Sequence, residues 1–225
     1  REVSVLAFCD GKTIKCMTSA QDHKRAKDGD QGLNTGGMGT FSPSPFYNDE
    51  VEAFCEKYVY QSTIDAMASE GRPFTGILFT GLMITEDGPK VLEYNARFGD
   101  PEAEVILPRL ESDFVQAILD LMDNKPVELK WTDKVSHGVV LASTNYPASS
   151  TKGSLITGVD DVDGLVFHMG TKMTDEGLVT DGGRVLMVVT LEDDLQTAFD
   201  HTYTELEKIQ CKDLFHRNDI GKKDM

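Results

Sequence analysis

The chain is short of the features that would assign it fastest. No apolar run approaches the ~20 residues of a membrane-spanning helix, and no basic-then-apolar leader stands at its start, so no membrane partner is expected. Lysine and arginine number 22 against 38 aspartates and glutamates, a formal charge of -16. A surface of that sign repels nucleic acid and anionic lipid on average, and neither is expected as a partner. The four cysteines, Cys9, Cys16, Cys55 and Cys211, show no Cys-x-x-Cys spacing, which suits reduced, half-buried thiols in a cytoplasmic setting. His137, His168, His201 and His216 are dispersed and give no metal-ligand spacing.

What is present is a chain able to bury a real core: 225 residues, 40% hydrophobic and 27% charged, enough for one large domain or two small ones. Arg1 already lies in a strand-like pattern, which reads as a segment of a longer polypeptide. The stretch that organises it is residues 93–102, Glu-Tyr-Asn-Ala-Arg-Phe-Gly-Asp-Pro-Glu. Lys90-Val91-Leu92 follows the turn Glu86-Asp87-Gly88-Pro89 and reads as the second strand of a hairpin. Side chains two apart on a strand share a face, so Glu93 and Asn95 present a carboxylate and an amide oxygen side by side, with Arg97 next in the row if the backbone stays extended. Mg²⁺ keeps several waters and takes only one or two protein oxygens when phosphates complete its shell, so the pair points to phosphoryl transfer. Gly99-Asp100-Pro101-Glu102 then turns the chain into a helix, with Asp100 as its cap and Glu102 and Glu104 in its first turn.

In chain order, residues 3–9 and 12–17 flank Asp10-Gly11 as a hairpin. Residues 21–39 lose all hydrophobic periodicity, and so long a structureless stretch is commonly functional or mobile. Its first part, His23-Lys24-Arg25-Ala26-Lys27, is the densest positive patch of an acidic chain. Its second, Asn34-Thr35-Gly36-Gly37-Met38-Gly39, offers backbone N–H groups and a hydroxyl to phosphate or carboxylate oxygens, without the lysine of a P-loop or the spacing of a dinucleotide fingerprint. A helix runs from a cap at Asn48 or Asp49 to about Ser69, with Phe54, Tyr58, Ile64 and Met67 as candidate core contacts. Residues 75–84 form a strand that pairs with 91–95, and helices follow at 101–109 and 112–122. After the pattern breaks at 124–134, short strands at 135–143, 166–169, 177–180 and 184–191 precede a helix at 195–209. Thr180-Asp181-Gly182-Gly183-Arg184 reads as a hairpin turn.

Three runs, Gln21 to Arg25, Gly32 to Gly39 and Glu93 to Glu102, resemble in order and spacing the phosphoribosylamine–glycine ligases, or glycinamide ribonucleotide synthetases, of the ATP-grasp superfamily. The tail is similar as well, at Tyr146-Pro147, Lys152-Gly153, Phe167 to Thr171, Gly182 to Val185 and Arg217-Asn218-Asp219-Ile220-Gly221. The resemblance implies an α+β fold: the carboxy-terminal part of an ATP-grasp domain, an antiparallel sheet with helices, over residues 1–125, then a small β-rich domain over 135–225. It also implies an enzyme of purine nucleotide synthesis that joins glycine to 5-phosphoribosylamine at the expense of ATP, through a glycyl phosphate. By motif, Glu93 and Asn95 would be the Mg²⁺ or Mn²⁺ ligands, Arg97 the guanidinium on the transferring phosphoryl group, and Asp100 and Glu102 candidates for glycine's ammonium. The loop Asn34, Thr35, Gly36, Gly37, Met38 and Gly39 would hold the ribosylamine or its phosphate, with Asp22, His23, Lys24 and Arg25 beside it. Residues 80–83 are not acidic, although related ATP-grasp enzymes place a further metal-binding carboxylate on that strand. Further purine-pathway domains in the same polypeptide fit this reading. The competing readings are another ATP-grasp carboxylate–amine ligase and a non-catalytic phosphate-binding module.

Overall fold

The computed structural model describes residues 1–225. The chain opens with β1 (Glu2–Asp10), β2 (Ile14–Cys16), β3 (Gln21–Asp22), β4 (Arg25–Lys27), β5 (Gln31–Asn34) and β6 (Gly39–Ser42). Helices α1 (Asp49–Cys55) and α2 (Gln61–Ser69) are joined by a π turn at Glu56–Tyr60, and β7 (Thr75–Thr85), β8 (Gly88–Asn95), α3 (Ala103–Ile106) and α4 (Phe114–Met122) follow. The remainder holds β9 (Val135–Ser143), β10 (Leu165–His168), β11 (Thr171–Thr174), β12 (Gly177–Thr180), β13 (Arg184–Glu192), α5 (Leu195–Leu206) and β14 (Leu214–Phe215). No helix is long and apolar enough to cross a membrane.

One compact unit comprises residues 1–21 and 42–133. Its antiparallel sheet has the order β2-β1-β7-β8. The first hairpin closes because Asp10 Oδ1 accepts the N–H groups of Lys12 and Thr13 at 2.8 and 2.6 Å, while Gly11 takes φ +90°. Val3, Val5 and Leu82 pack with Cys55, Val59 and Tyr60, and Ala7, Cys9 and Leu78 with Ile64. The odd residues of β1 and the even ones of β7 therefore face the helices. Of the four helix contacts expected, Ile64 is buried and Met67 half-buried, but Phe54 and Tyr58 are exposed. The π turn inserts an extra residue per turn, so Cys55, Val59 and Tyr60 take the inward positions instead. The opposite face of the sheet carries Ser4, Leu6 and Phe8, and Phe8 meets Phe114 of α4 at 6.4 Å between ring centroids.

The second unit comprises residues 22–41 and 134–225. Its sheet runs β10-β13-β9-β6-β3, with β14 added on β9. Helix α5, capped by Asp194 accepting from Thr197 N–H at 2.9 Å, covers β9 and β13. Compactness thus follows a different partition from a single break at 125–135, because residues 22–41 cross into this unit. The reason is in the backbone: Val140 N–H donates to Met38 O at 3.0 Å, and a Cβ on Gly39 would stand 2.7 Å from Gly138 O. The expectation that residues 21–39 lack structure is corrected on the same grounds, since the segment holds β3, β4 and β5 and runs into β6.

Candidate active site

The first cluster lies at the end of the β7–β8 hairpin. Gly81 pairs with Glu93 and Phe79 with Asn95, which puts both polar side chains on the sheet face away from α1 and α2. Asn95 Nδ2 donates to Glu93 Oε1 at 3.3 Å, so the two do sit side by side. A Cβ on Gly81 would reach within 3.2 Å of Glu93 Cγ. The strand position opposite the carboxylate is therefore bare because the Glu93 side chain uses the space. Strand β8 ends at Asn95, and Arg97 is not the next member of the row: its Nη1 donates to Phe98 O at 2.7 Å. Glu93 and Arg97 are exposed and Asn95 is half-buried. Two adjacent oxygen donors without a third carboxylate, imidazole or thiolate fit a hard cation whose other ligands are water and phosphate oxygens.

The turn that follows differs from expectation. Helix α3 begins at Ala103, whose N–H donates to Gly99 O at 3.1 Å, so Asp100 precedes the helix and does not cap it. Asp100 is exposed, whereas Glu102 is 1% exposed and accepts from Ser4 Oγ at 3.0 Å. Its carboxylate lies beneath Gly99, where a Cβ would come within 2.3 Å of Glu102 Oε2. The turn is thus held from inside. Arg109, which no motif in the sequence singles out, does similar work: it donates to Thr18 Oγ1 at 2.6 Å, Ser42 Oγ at 2.9 Å and Thr132 O at 3.1 Å.

The second cluster, in the other unit, is the loop 22–39. His23 is 2% exposed; Gly221 N–H donates to its Nε2 at 3.1 Å, which leaves the ring proton on Nδ1, 3.2 Å from Gly39 O. Burial, with the positive charges of Arg217 and Lys223, pushes its pKa down to about 3. His23 is a neutral internal staple. Asp22 accepts from His23 N–H at 2.7 Å and pairs with Lys24 Nζ at 2.7 Å. Arg25 Nη1 closes its own hairpin on Gly32 O at 2.9 Å. Thr35 donates by N–H and hydroxyl to Lys24 O, at 2.8 and 2.9 Å, and its Oγ1 accepts from Gly37 N–H at 3.0 Å. Met38 is fully buried. Asn34 and Gly36 are the exposed members of the glycine-rich run.

What fixes this loop is the tail. Arg217, 1% exposed, donates to Asp219 through Nε and Nη2 at 2.7 and 2.9 Å, and through Nη1 to Arg25 O and Asp30 Oδ1 at 3.0 and 3.1 Å. Asn218 holds Asp28 with both its backbone and side-chain N–H groups, at 2.8 and 2.9 Å. Asp219 also accepts from Gly29 N–H at 2.7 Å. Burial alone would raise the Asp219 carboxyl, but Arg217 and that N–H outweigh it and hold it below the usual carboxylate range. The Arg-x-Asp spacing was the available signal, but only the fold shows that its target lies nearly two hundred residues upstream.

Comparison with known proteins covers both clusters, and the A-domain match holds the hairpin end and the loop 22–39 alike. Residues 1–103 match the model of the phosphoribosylglycinamide synthetase ATP-grasp (A) domain, and 136–223 that of its C domain. The chain belongs to the phosphoribosylglycinamide synthetase family. It is 50% identical over 224 residues to the phosphoribosylamine–glycine ligase of Halalkalibacterium halodurans, covering 99% of this chain and 52% of that one. It is 46% identical to the trifunctional purine biosynthetic protein adenosine-3 of Gallus gallus, covering 98% of this chain and 22% of that protein. The crystal structure of the Thermotoga maritima phosphoribosylamine–glycine ligase superposes with a TM-score of 0.88 at 34% identity, over 98% of this chain and 55% of that one. The chain spans about half the length of the bacterial relatives it matches. Glu93 and Asn95 lie inside the synthetase A-domain match and the Arg217 to Gly221 run inside the C-domain match. The α+β architecture read from the sequence is that of this family.

Proposed function

We propose that this chain carries part of the active site of an ATP-dependent ligase that joins glycine to 5-phosphoribosylamine, yielding glycinamide ribonucleotide, ADP and phosphate. One observation supports it above the others: exposed Glu93 and half-buried Asn95 stand side by side at the end of a hairpin within the synthetase match. In this reading they hold Mg²⁺ or Mn²⁺, which supplies charge neutralisation at the nucleotide phosphates. A glycine carboxylate oxygen takes the γ-phosphoryl group as ADP leaves; the amine of phosphoribosylamine then attacks the glycyl carbon, releasing phosphate. Both partners of the first step are anionic, so positioning and cationic groups are the protein's main contribution. Arg97, turned by its bond to Phe98 O, is the nearest guanidinium in sequence to the metal pair and serves the transferring group. Exposed Asp100 receives the glycine ammonium, while buried Glu102 acts by holding the turn that presents it. The ribosylamine is assigned to the 22–39 segment through Asn34, Thr35, Gly36 and Gly37, with Lys24 and Arg25 at its edge. Asp22, His23, Met38 and Gly39 shape the segment from within.

Division into an ATP-grasp portion at 1–125 and a carboxy-terminal domain at 135–225 belongs to the same proposal, as do further purine-pathway domains in one polypeptide. The test is ADP formation by the intact protein, measured with each substrate omitted in turn. Dependence on ATP, glycine and phosphoribosylamine together is the expected result. ADP release with a different amine, or with no amine, would overturn the choice of acceptor.

A further inference from the structure

Two side chains that bond the exposed Gly36 of the glycine-rich loop carry no motif that assigns them chemistry from sequence alone. In the sequence Tyr146 stands out only within a run similar to the family's, and Arg184 as the end of a hairpin turn. In the structure Gly36 N–H donates to the Tyr146 hydroxyl at 3.0 Å, and Arg184 Nη1 donates to Gly36 O at 3.1 Å. The backbone donor and the backbone acceptor of one exposed glycine, on successive peptides, are thereby held by side chains from β9's carboxy-terminal turn and the start of β13.

Two glycines make this approach feasible. A Cβ on Gly36 would lie 2.9 Å from the Arg184 Cζ and Nη2, and a Cβ on Gly183 would lie 2.5 Å from the Tyr146 ring. Contacts that close are essentially never made by a real Cβ, so the guanidinium lies flat on one bare glycine and the phenol on the other. The phenol is oriented chemically too. Because its oxygen accepts from Gly36 N–H, its own O–H proton points away from that peptide and acts as a donor. A planar guanidinium with several N–H groups in a fixed fork is the group that recognises phosphate oxygens best. The loop is stiff where this matters: Gly37, at φ +123°, is tied through Thr35 Oγ1 to Lys24 O. Gly183 O in turn accepts from Ser143 N–H at 2.7 Å.

We propose that Gly36–Gly37, Tyr146 and Arg184 form a docking subsite for a sugar phosphate monoester. This deepens the ligase reading, since the ribosylamine's 5-phosphate is then the natural occupant, and in that respect it rests on it. A phosphate approaching a chain of charge -16 must be met locally, and here a cation and an oriented hydroxyl converge on one exposed glycine.

The decisive experiment titrates ribose 5-phosphate, and neutral ribose as control, into the intact protein and its Arg184→Gln, Arg184→Lys and Tyr146→Phe variants, alongside steady-state kinetics. Arg184→Gln is expected to weaken ribose 5-phosphate binding roughly 10- to 100-fold and Tyr146→Phe roughly 3- to 10-fold, with ribose unaffected. Arg184→Lys recovers part of the loss, because it keeps the charge and not the fork. In turnover, KM for phosphoribosylamine rises while KM for ATP and glycine holds, a split that a purely structural role would not produce. If Arg184→Gln does not fold, Tyr146→Phe decides, since it keeps the ring against Gly183. Unchanged ribose 5-phosphate affinity and unchanged phosphoribosylamine KM in the folded variants overturn the subsite and leave the ligase reading standing. Loss of binding in the variants, with no glycine-dependent ADP formation by the wild type, supports the subsite and overturns the ligase reading.

Discussion

The hairpin end at Glu93–Asn95 and the segment 22–39 are equally polar in sequence, yet the first is left open and the second is locked. Glu93 touches a neighbouring amide and is otherwise exposed, and Arg97 reaches only the next residue's carbonyl. The loop, by contrast, is bonded at nearly every turn, by Arg217, Asn218, Asp219 and Gly221 from the far end of the chain. Charge density alone does not tell a waiting site from a finished one. Groups that must meet a metal and phosphates keep their oxygens available until those arrive, whereas a surface meant to recognise one small molecule gains from being set in advance.

The largest expected effect tests the open side. Glu93→Ala in the intact protein removes the carboxylate proposed to hold the metal and is expected to lower turnover by ~10³-fold or more, since charge neutralisation is most of the catalysis in phosphoryl transfer. Its thermal midpoint should move by no more than about 2 °C, because an exposed side chain with one 3.3 Å contact contributes little to folding. A variant with normal turnover and unchanged metal dependence would remove Glu93 from the site.

The locked side is expected to behave the other way. Arg217→Met leaves the Asp219 and Asp30 carboxylates without their buried partner, and loss of one member of such a network costs about 3–5 kcal/mol. Urea denaturation would show this as a lower midpoint with similar slope. If the midpoint held and only activity fell, the tail would be a substrate contact and the contrast between the two regions would disappear.

How far the sequence carried this picture depends on the range of the interactions. The β7–β8 hairpin and the Glu93–Asn95 pair were legible because a period of two and a turn are local facts. The cap of α1 was legible for the same reason: Asn48 accepts from Val51 N–H. The helix face around Phe54 was misjudged because a π turn slips the register by one, and no spacing rule anticipates it. Residues 21–39 carry no periodicity since their order comes from side chains about 190 positions away, and Arg184 beside Gly36 is invisible until β13 is placed. The Asp100 cap failed because the turn closes on Gly99 O and starts the helix at Ala103.

Acid pH separates the regions further. His23 and His137 are buried and neutral, with pKa values pushed down to about 3 and about 4, in both cases by burial first. His137 sits between Thr202 Oγ1 at 2.8 Å and Ile220 O at 2.9 Å. The unfolded chain takes up these protons near pH 6.5 and the native one only near 3 to 4, so the unfolded state binds more protons throughout that window. Stability is fully present above pH 6.5 and falls as pH drops, by about 2 kcal/mol per histidine at pH 5. Urea midpoints at pH 7.5 and pH 5 check this, and His137→Gln should flatten the slope. Equal midpoints would mean that the histidines open to solvent without cost.

The smallest effect is also the one that separates folding from function at a single atom. Gly81 lies inside β7 directly across from Glu93 and does not need a left-handed backbone, so Gly81→Ala suits the strand and reduces the entropy of the unfolded chain, a gain of about 0.5–1 kcal/mol. Its new methyl, 3.2 Å from Glu93 Cγ, must push that side chain aside by a few tenths of an ångström. Metal-dependent ADP binding is then expected to weaken a few-fold while the thermal midpoint rises or holds. A variant that binds ADP with magnesium as tightly as the wild type would show that Glu93 has room to move without consequence, and that Gly81 serves the strand rather than the carboxylate facing it.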